Sequence, residues 1–120
     1  MPEREPTPQA ESAASERRAY VRLASDLAAT CRWRGRVQDV GWPGRVRDVS
    51  RGGVGLLLRH RFRPGTHLTV ELRDAVGRPL GTVTVRVAHA TAVSADGSLC
   101  WLLGCAFEHP LSDAEFHALT

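Results

Sequence analysis

Lysine is absent from this sequence of 120 residues, and all 16 of its basic side chains are arginines. Long apolar segments are absent as well, since no stretch approaches the roughly 18 residues that a membrane-spanning helix needs. The first ten residues hold three prolines and two glutamates and have no apolar core, unlike a secretory signal. We therefore expect no membrane insertion and a cytoplasmic location.

Cysteine is scarce, and its spacing argues against a metal centre. Cys31, Cys100 and Cys105 show no CxxC pair of the kind that structural zinc sites use. Cys31 and Cys105 are in phase with apolar neighbours, which predicts small buried side chains. We expect no metal and no cofactor. The five histidines occur singly and are expected at the surface or the edge of the core: His60, His67, His89, His109 and His117.

Patterns of catalytic residues are also missing. The sequence has no P-loop, no dinucleotide-binding fingerprint and no paired nucleophile and base. Asp48 and Ser50 have no histidine near them in the sequence. We expect no catalytic residue and no enzymatic activity.

The overall composition is typical of one globular domain, with 42% hydrophobic and 24% charged residues. Residues 1–15 are rich in Pro, Glu, Ser and Ala, which predicts a flexible tail ahead of a folded domain at 16–120. The net charge is +3, and residues 1–15 contribute three glutamates against one arginine. The folded part is therefore moderately basic, which suits an anionic ligand, RNA or an acidic protein surface.

Alternation of apolar and polar residues predicts β-strands along most of the chain. Leu27, Ala29, Cys31 and Trp33 are expected on one face of the first strand. The same alternation recurs in further segments: 46–49, 54–58, 68–72, 83–87 and 99–107. Six or so short strands with no helix between them indicate an antiparallel barrel.

Turn and cap signals divide these segments. Turns are expected at Gly41–Gly44 and Asp74–Pro79, and Ser94–Ser98 contains the Asp-Gly pair of a tight hairpin. Ser112 and Glu115 form a capping-box pattern, which predicts a helix from Asp113 to about Leu119. We expect a mainly β fold with a short C-terminal α-helix.

Two short motifs stand out against this background. Arg18 and Arg22 form RxxxR, and Asp48, Ser50 and Gly53 form DxSxxG after 25 intervening residues. Each motif alone has an ordinary explanation, the first as one exposed helix face and the second as a β-turn. Their order, separation and flanking apolar segments make the pair informative.

Together the two motifs resemble the signature of the PilZ domain family, over roughly residues 16–120. Members of that family bind the bacterial second messenger cyclic di-GMP, and the resemblance implies a six-stranded antiparallel β-barrel with a C-terminal helix. It also implies that Arg18 and Arg22 contact the phosphates and stack on guanine or bind its edge. Asp48 and Ser50 are then expected to accept hydrogen bonds from guanine N1 and N2, and Gly53 to allow a tight turn or a close approach of the backbone to the ligand.

The resemblance extends to stoichiometry and to signal output. An arginine directly before RxxxR, here Arg17, is similar to family members that bind a stacked ligand dimer, so two ligands per protomer are expected. In the family the arginine segment is a loop that becomes ordered around the ligand. With no output domain evident, the expected partner is an unidentified effector protein or, in a ligand-dependent oligomer, a second copy of this chain.

Two other functions are compatible with parts of the sequence. A small basic barrel can bind single-stranded nucleic acid, but Trp33, Trp101 and Phe107 are in apolar phase and are expected mostly in the core. Tyr20 and Trp42 remain open between packing and stacking on a ligand. The second alternative is a protein-interaction module of the same fold that does not bind nucleotide. We consider it weaker because all five motif residues are present.

Overall fold

The computed structural model describes residues 22–36 and 38–120, which form a closed barrel of six antiparallel strands with one helix. The expected tail at 1–15, and with it Arg17, Arg18 and Tyr20, lies outside the described residues. In the part of the chain that is described, no helix is long and apolar enough to cross a membrane. The elements are β1 (Leu23–Ala24), β2 (Ala28–Trp33), β3 (Trp42–Val49), β4 (Gly53–Leu58), β5 (His67–Arg73), β6 (Pro79–Ala95), β7 (Ser98–Phe107) and α1 (Asp113–Leu119).

The barrel closes because β3 and β4 pair with each other at the two ends of the strand order. That order is β3-β2-β5-β6-β7-β4, with β1 added beside β3. All neighbours are antiparallel. Alternate residues of β5 point inward, and Leu68, Val70 and Leu72 are fully buried. The expected fold class and short C-terminal helix are confirmed.

β1 and β2 lie one after the other along the same edge of β3. β2 pairs with the first four residues of β3, and β1 pairs with its last two. Between them, the Ser25 N–H donates to the Arg47 carbonyl at 3.0 Å and the Val46 N–H donates to the Leu27 carbonyl at 2.9 Å. The chain just after Arg22 is therefore held against β3 by main-chain hydrogen bonds.

The tight turns agree with the sequence except at the start of β3. The Asp-Gly hairpin is confirmed, with Asp96 and Gly97 both at positive φ between β6 and β7. The turn expected at Gly41–Gly44 is wrong, because Gly41 is the last residue before β3, which already begins at Trp42. Pro43 is tolerated because it lies near the beginning of its strand.

Two apolar residues expected on inward faces are exposed at the ends of strands. Trp33 is 42% exposed at the end of β2, and Leu99 is 65% exposed near the start of β7. β4 pairs with β7 only from Trp101 onward, so the first residues of β7 extend past the closed wall. Alternation sets the face of a residue, but burial also requires an opposing strand.

The C-terminal helix begins as its capping box predicts. The Ser112 hydroxyl accepts from the Glu115 N–H at 3.1 Å, and the Glu115 carboxylate accepts from the Ser112 N–H at 2.8 Å. Leu119 is buried and Phe116 packs against the barrel core. These contacts confirm the predicted helix and its apolar face.

The burial of two thiols leads to a testable prediction. Cys31 and Cys105 lie in the core as expected, and loss of water around them raises the pKa of both to about 12. Both thiols therefore remain protonated at pH 8, and only the thiolate form is reactive. In a Cys100→Ser variant we therefore expect no reaction with Ellman's reagent in the folded protein and reaction of both thiols in denaturant. Rapid labelling of the folded protein would contradict this placement.

Candidate functional site

The structure brings the end of the first motif to the beginning of the second. Arg22 precedes β1, which pairs with the last two residues of β3, and β3 carries Asp48. The Arg22 Nη1 atom lies 2.8 Å from Asp48 Oδ1, although 26 positions separate the two residues. Two side chains that the sequence assigns to one ligand therefore meet on the outer surface of the barrel.

The ion pair between them contributes little to the stability of the fold. The Arg22 and Asp48 side chains are 43% and 29% exposed. An ion pair this accessible to water contributes about 0–1 kcal/mol to stability. Main-chain pairing holds Asp48 and Leu23, the residue after Arg22, in place, so separating the two charged groups would cost the protein little folding energy.

Ser50 uses its hydroxyl inside the turn that follows β3. Its Oγ accepts from the N–H groups of Gly52 at 3.2 Å and Gly53 at 3.1 Å, and its own N–H donates to the Gly53 carbonyl at 2.9 Å. Ser50 is also buried, the one buried polar residue in the described part of the chain. The serine of DxSxxG therefore fixes the shape of the turn that joins β3 to β4.

Gly53 is required by a close approach between two strands. A Cβ atom at this position would collide with the main-chain carbonyl oxygen of Cys105 on β7. Gly53 also pairs directly with Ala106 at the beginning of β4. The structure thus shows a close approach between β4 and β7 at Gly53, which is a different role from the expected tight turn or approach of the backbone to the ligand.

The turn also contacts the C-terminal segment, a connection that the sequence did not predict. The Arg51 carbonyl accepts from the Leu111 N–H at 2.7 Å, and Arg51 Nε donates to the Leu111 carbonyl at 3.0 Å. Arg51 Nη1 lies 3.1 Å from Asp113 Oδ1 in the first turn of α1. In addition, the Phe107 N–H donates to the Gly52 carbonyl. The DxSxxG turn is thus tied to the start of the helix.

A cavity of about 570 Å³ lies elsewhere on the β3–β4 ladder. Its lining includes Arg45, Leu57 and Arg59 and excludes the described motif residues. Trp42 also lines it, stacked on His60 with ring centroids 4.6 Å apart and in edge contact with Phe62 at 5.0 Å. These ring contacts favour a packing role for Trp42 over stacking on a ligand. Among the described residues no cluster of His, Cys, Asp or Glu could hold a metal ion.

Comparison with protein families gives one assignment for nearly the whole chain. The model of the PilZ domain matches residues 16–120, which include both sequence motifs. Among curated proteins, no sequence matches this chain significantly.

Solved structures share the fold at low sequence identity. The PilZ domain of YcgR from Escherichia coli, solved with c-di-GMP, is 18% identical, with 86% of each chain covered and a TM-score of 0.61. MrkH from K. pneumonia in its apo state is 17% identical, with 82% of this chain and 46% of MrkH covered and a TM-score of 0.60. PlzA from Borreliella burgdorferi, in complex with c-di-GMP, is 13% identical, with 91% and 52% covered and a TM-score of 0.57. This chain spans about half the length of MrkH and PlzA.

Two glycines of β4 should respond differently to alanine. We expect Gly53→Ala to destabilise the fold by about 1–3 kcal/mol, because the added methyl group meets main-chain atoms that cannot move independently. In Gly55→Ala the new Cβ would lie 3.0 Å from Asp48 Oδ1, at the end of a side chain that can rotate away. Its cost should be below about 1 kcal/mol. Denaturant unfolding of both variants measures the difference, and equal stability would contradict the close approach at Gly53.

Proposed function

The chain belongs to the PilZ domain family, and from this premise we propose that it is a receptor for cyclic di-GMP in the bacterial cytoplasm, with no catalytic role. The observation that carries the proposal is the meeting of Arg22 and Asp48 beside the DxSxxG turn. Two proteins of the same fold, YcgR and PlzA, were solved with this ligand. The basic net charge of the chain suits a dianion.

Binding would replace the Arg22–Asp48 ion pair with contacts to the ligand. A guanidinium group matches phosphate oxygens or the O6 and N7 edge of guanine and can also stack on the base. The Asp48 carboxylate can accept from the N1 and N2 donors of guanine. The Arg22 guanidinium would therefore exchange the Asp48 carboxylate for a phosphate or a guanine. The Asp48 carboxylate would exchange Arg22 for the N1 and N2 groups of guanine.

Ser50 and Gly53 would act mainly through the geometry of the turn. The Ser50 hydroxyl already accepts two main-chain N–H groups, so we assign it chiefly to holding the loop that presents Asp48. Gly53 allows β4 to approach β7 and so keeps the same loop against the barrel. Any direct contact between Ser50 and guanine would add to this positioning role.

The signal would pass from the ligand to a partner protein through the segment that carries the arginines and the barrel surface around Asp48. We propose that the ligand draws the Glu16–Arg22 segment, with Arg17 and Arg18, onto the barrel around Asp48. The covered surface would then bind or release an effector protein or a second copy of the chain.

Titration calorimetry with cyclic di-GMP tests the receptor proposal. We expect micromolar or tighter binding by the unaltered protein and a loss of at least about tenfold in Arg22→Ala and in Asp48→Ala, because each removes a charged contact. In an Arg18→Ala, Arg22→Ala double variant we expect no measurable binding. GTP and cyclic AMP should bind far more weakly than cyclic di-GMP.

Arg34→Ala is the matched control for loss of an exposed ion pair. Arg34 Nη1 lies 2.6 Å from Glu108 Oε2, and both residues are outside the two motifs. This variant should bind cyclic di-GMP as the unaltered protein does. Absence of binding by the folded, unaltered protein would refute the receptor proposal and favour the protein-interaction module.

Arg17 is proposed to set the number of ligands bound. If it supports a stacked ligand dimer, calorimetry should give two cyclic di-GMP molecules per protomer for the unaltered protein and one for Arg17→Ala. A stoichiometry of one for both proteins would refute the role of Arg17 and leave the receptor proposal intact.

A further inference from the structure

A row of four residues crosses the outer wall of the barrel, and only its two ends carry functional side chains. Asp48 of β3 is opposite Gly55 of β4, Gly55 is opposite Gly104 of β7, and Gly104 is opposite His89 of β6. We call this set the Asp48–His89 row. Its centre is bare main chain because both middle residues are glycines.

Both ends of the row face outward because of β-bulges. Register shifts occur between Val46 and Asp48 on β3 and between Val87 and His89 on β6. Residues two apart in a regular strand share a face, and one inserted residue reverses this relation. Val46 and Val87 are fully buried, whereas Asp48 is half-buried and His89 is exposed.

The two end side chains lean over the glycines toward each other. A Cβ atom on Gly55 would lie 3.0 Å from Asp48 Oδ1, and one on Gly104 would collide with His89 Cε1 and Nε2. Cβ positions of directly opposite residues are about 4.5–5.5 Å apart. The carboxylate and the imidazole therefore border one area, which side chains at Gly55 and Gly104 would otherwise occupy.

The His89 ring is available for a ligand. It is exposed, and within residues 22–36 and 38–120 it has no hydrogen-bond or ion-pair partner. Asp48, at the other end of the row, is bound to Arg22, one of the arginines of the proposed receptor site. An imidazole offers a flat face for a purine and a ring nitrogen for its O6 or N7 atom or for a phosphate oxygen.

We propose that His89 is a further ligand-contacting residue of this site. It would bind the same guanine whose N1 and N2 groups donate hydrogen bonds to Asp48. This inference rests on the proposed receptor function and adds a contact from β6, the strand two places beyond β4 in the wall. Gly104 would then be part of the site as well, because only glycine leaves room for the ring over β7.

The test compares affinities for cyclic di-GMP by calorimetry. We expect His89→Ala to weaken binding roughly tenfold, the effect of losing one contact between a base and an aromatic ring. Gly104→Ala should weaken binding similarly by pushing the ring aside. His109→Ala, which removes another exposed histidine, should bind as the unaltered protein does. The unfolding midpoint of each variant shows whether it remains folded.

A second measurement uses the unaltered protein. In NMR spectra of the unaltered protein, the imidazole Cε1–H signal of His89 should shift on addition of cyclic di-GMP, while that of His109 should not. Binding by the unaltered protein with an unchanged affinity in His89→Ala and no shift of its signal would overturn the role of His89 alone. If the unaltered protein does not bind, both the receptor proposal and this inference are refuted.

Discussion

Hydrogen bonding of β3 on both of its edges is the constraint on which the rest of the site depends. One edge holds β1 and β2, and the other holds β4, so that β3 closes the barrel. Because β1 is paired with the end of β3, Arg22 reaches Asp48 through main-chain geometry and does not rely on an exposed ion pair. A site arranged in this way can exchange its charged contacts without loss of the fold.

The same turn that presents Asp48 is connected to the C-terminal helix. Arg51 exchanges main-chain and side-chain hydrogen bonds with Leu111 and contacts Asp113 at the start of α1. A change in the turn between β3 and β4 must therefore either carry this segment with it or break these contacts. The helix is therefore coupled to the turn by direct contacts, and a displacement of the turn would be felt at the start of α1.

Alternation of apolar residues was sufficient to predict the barrel. The motifs assigned Arg22 and Asp48 to one ligand, and the structure shows that these two side chains are in contact. Neither signal locates the ends of strands, which depend on neighbours distant in sequence. Trp42 therefore belongs to a strand in spite of its Gly and Pro neighbours, and Leu99 is exposed in spite of its apolar phase. His89 is exposed, within its expected place at the surface or core edge, but the period of two set by Val85 and Val87 would carry it to the inner face, and only the bulge before it turns it outward.

Glycine has two different functions in this wall, and the difference explains where the site lies. At Gly53 the missing side chain lets two main chains approach, which concerns the stability of the fold. At Gly55 and Gly104 the missing side chains leave outer space that the Asp48 and His89 side chains enter. The proposed site is thus formed by small residues on a convex sheet and needs no deep cleft. A flat ligand with charged edges can bind such a surface if side chains border it, and this agrees with the position of the 570 Å³ cavity away from the described motif residues.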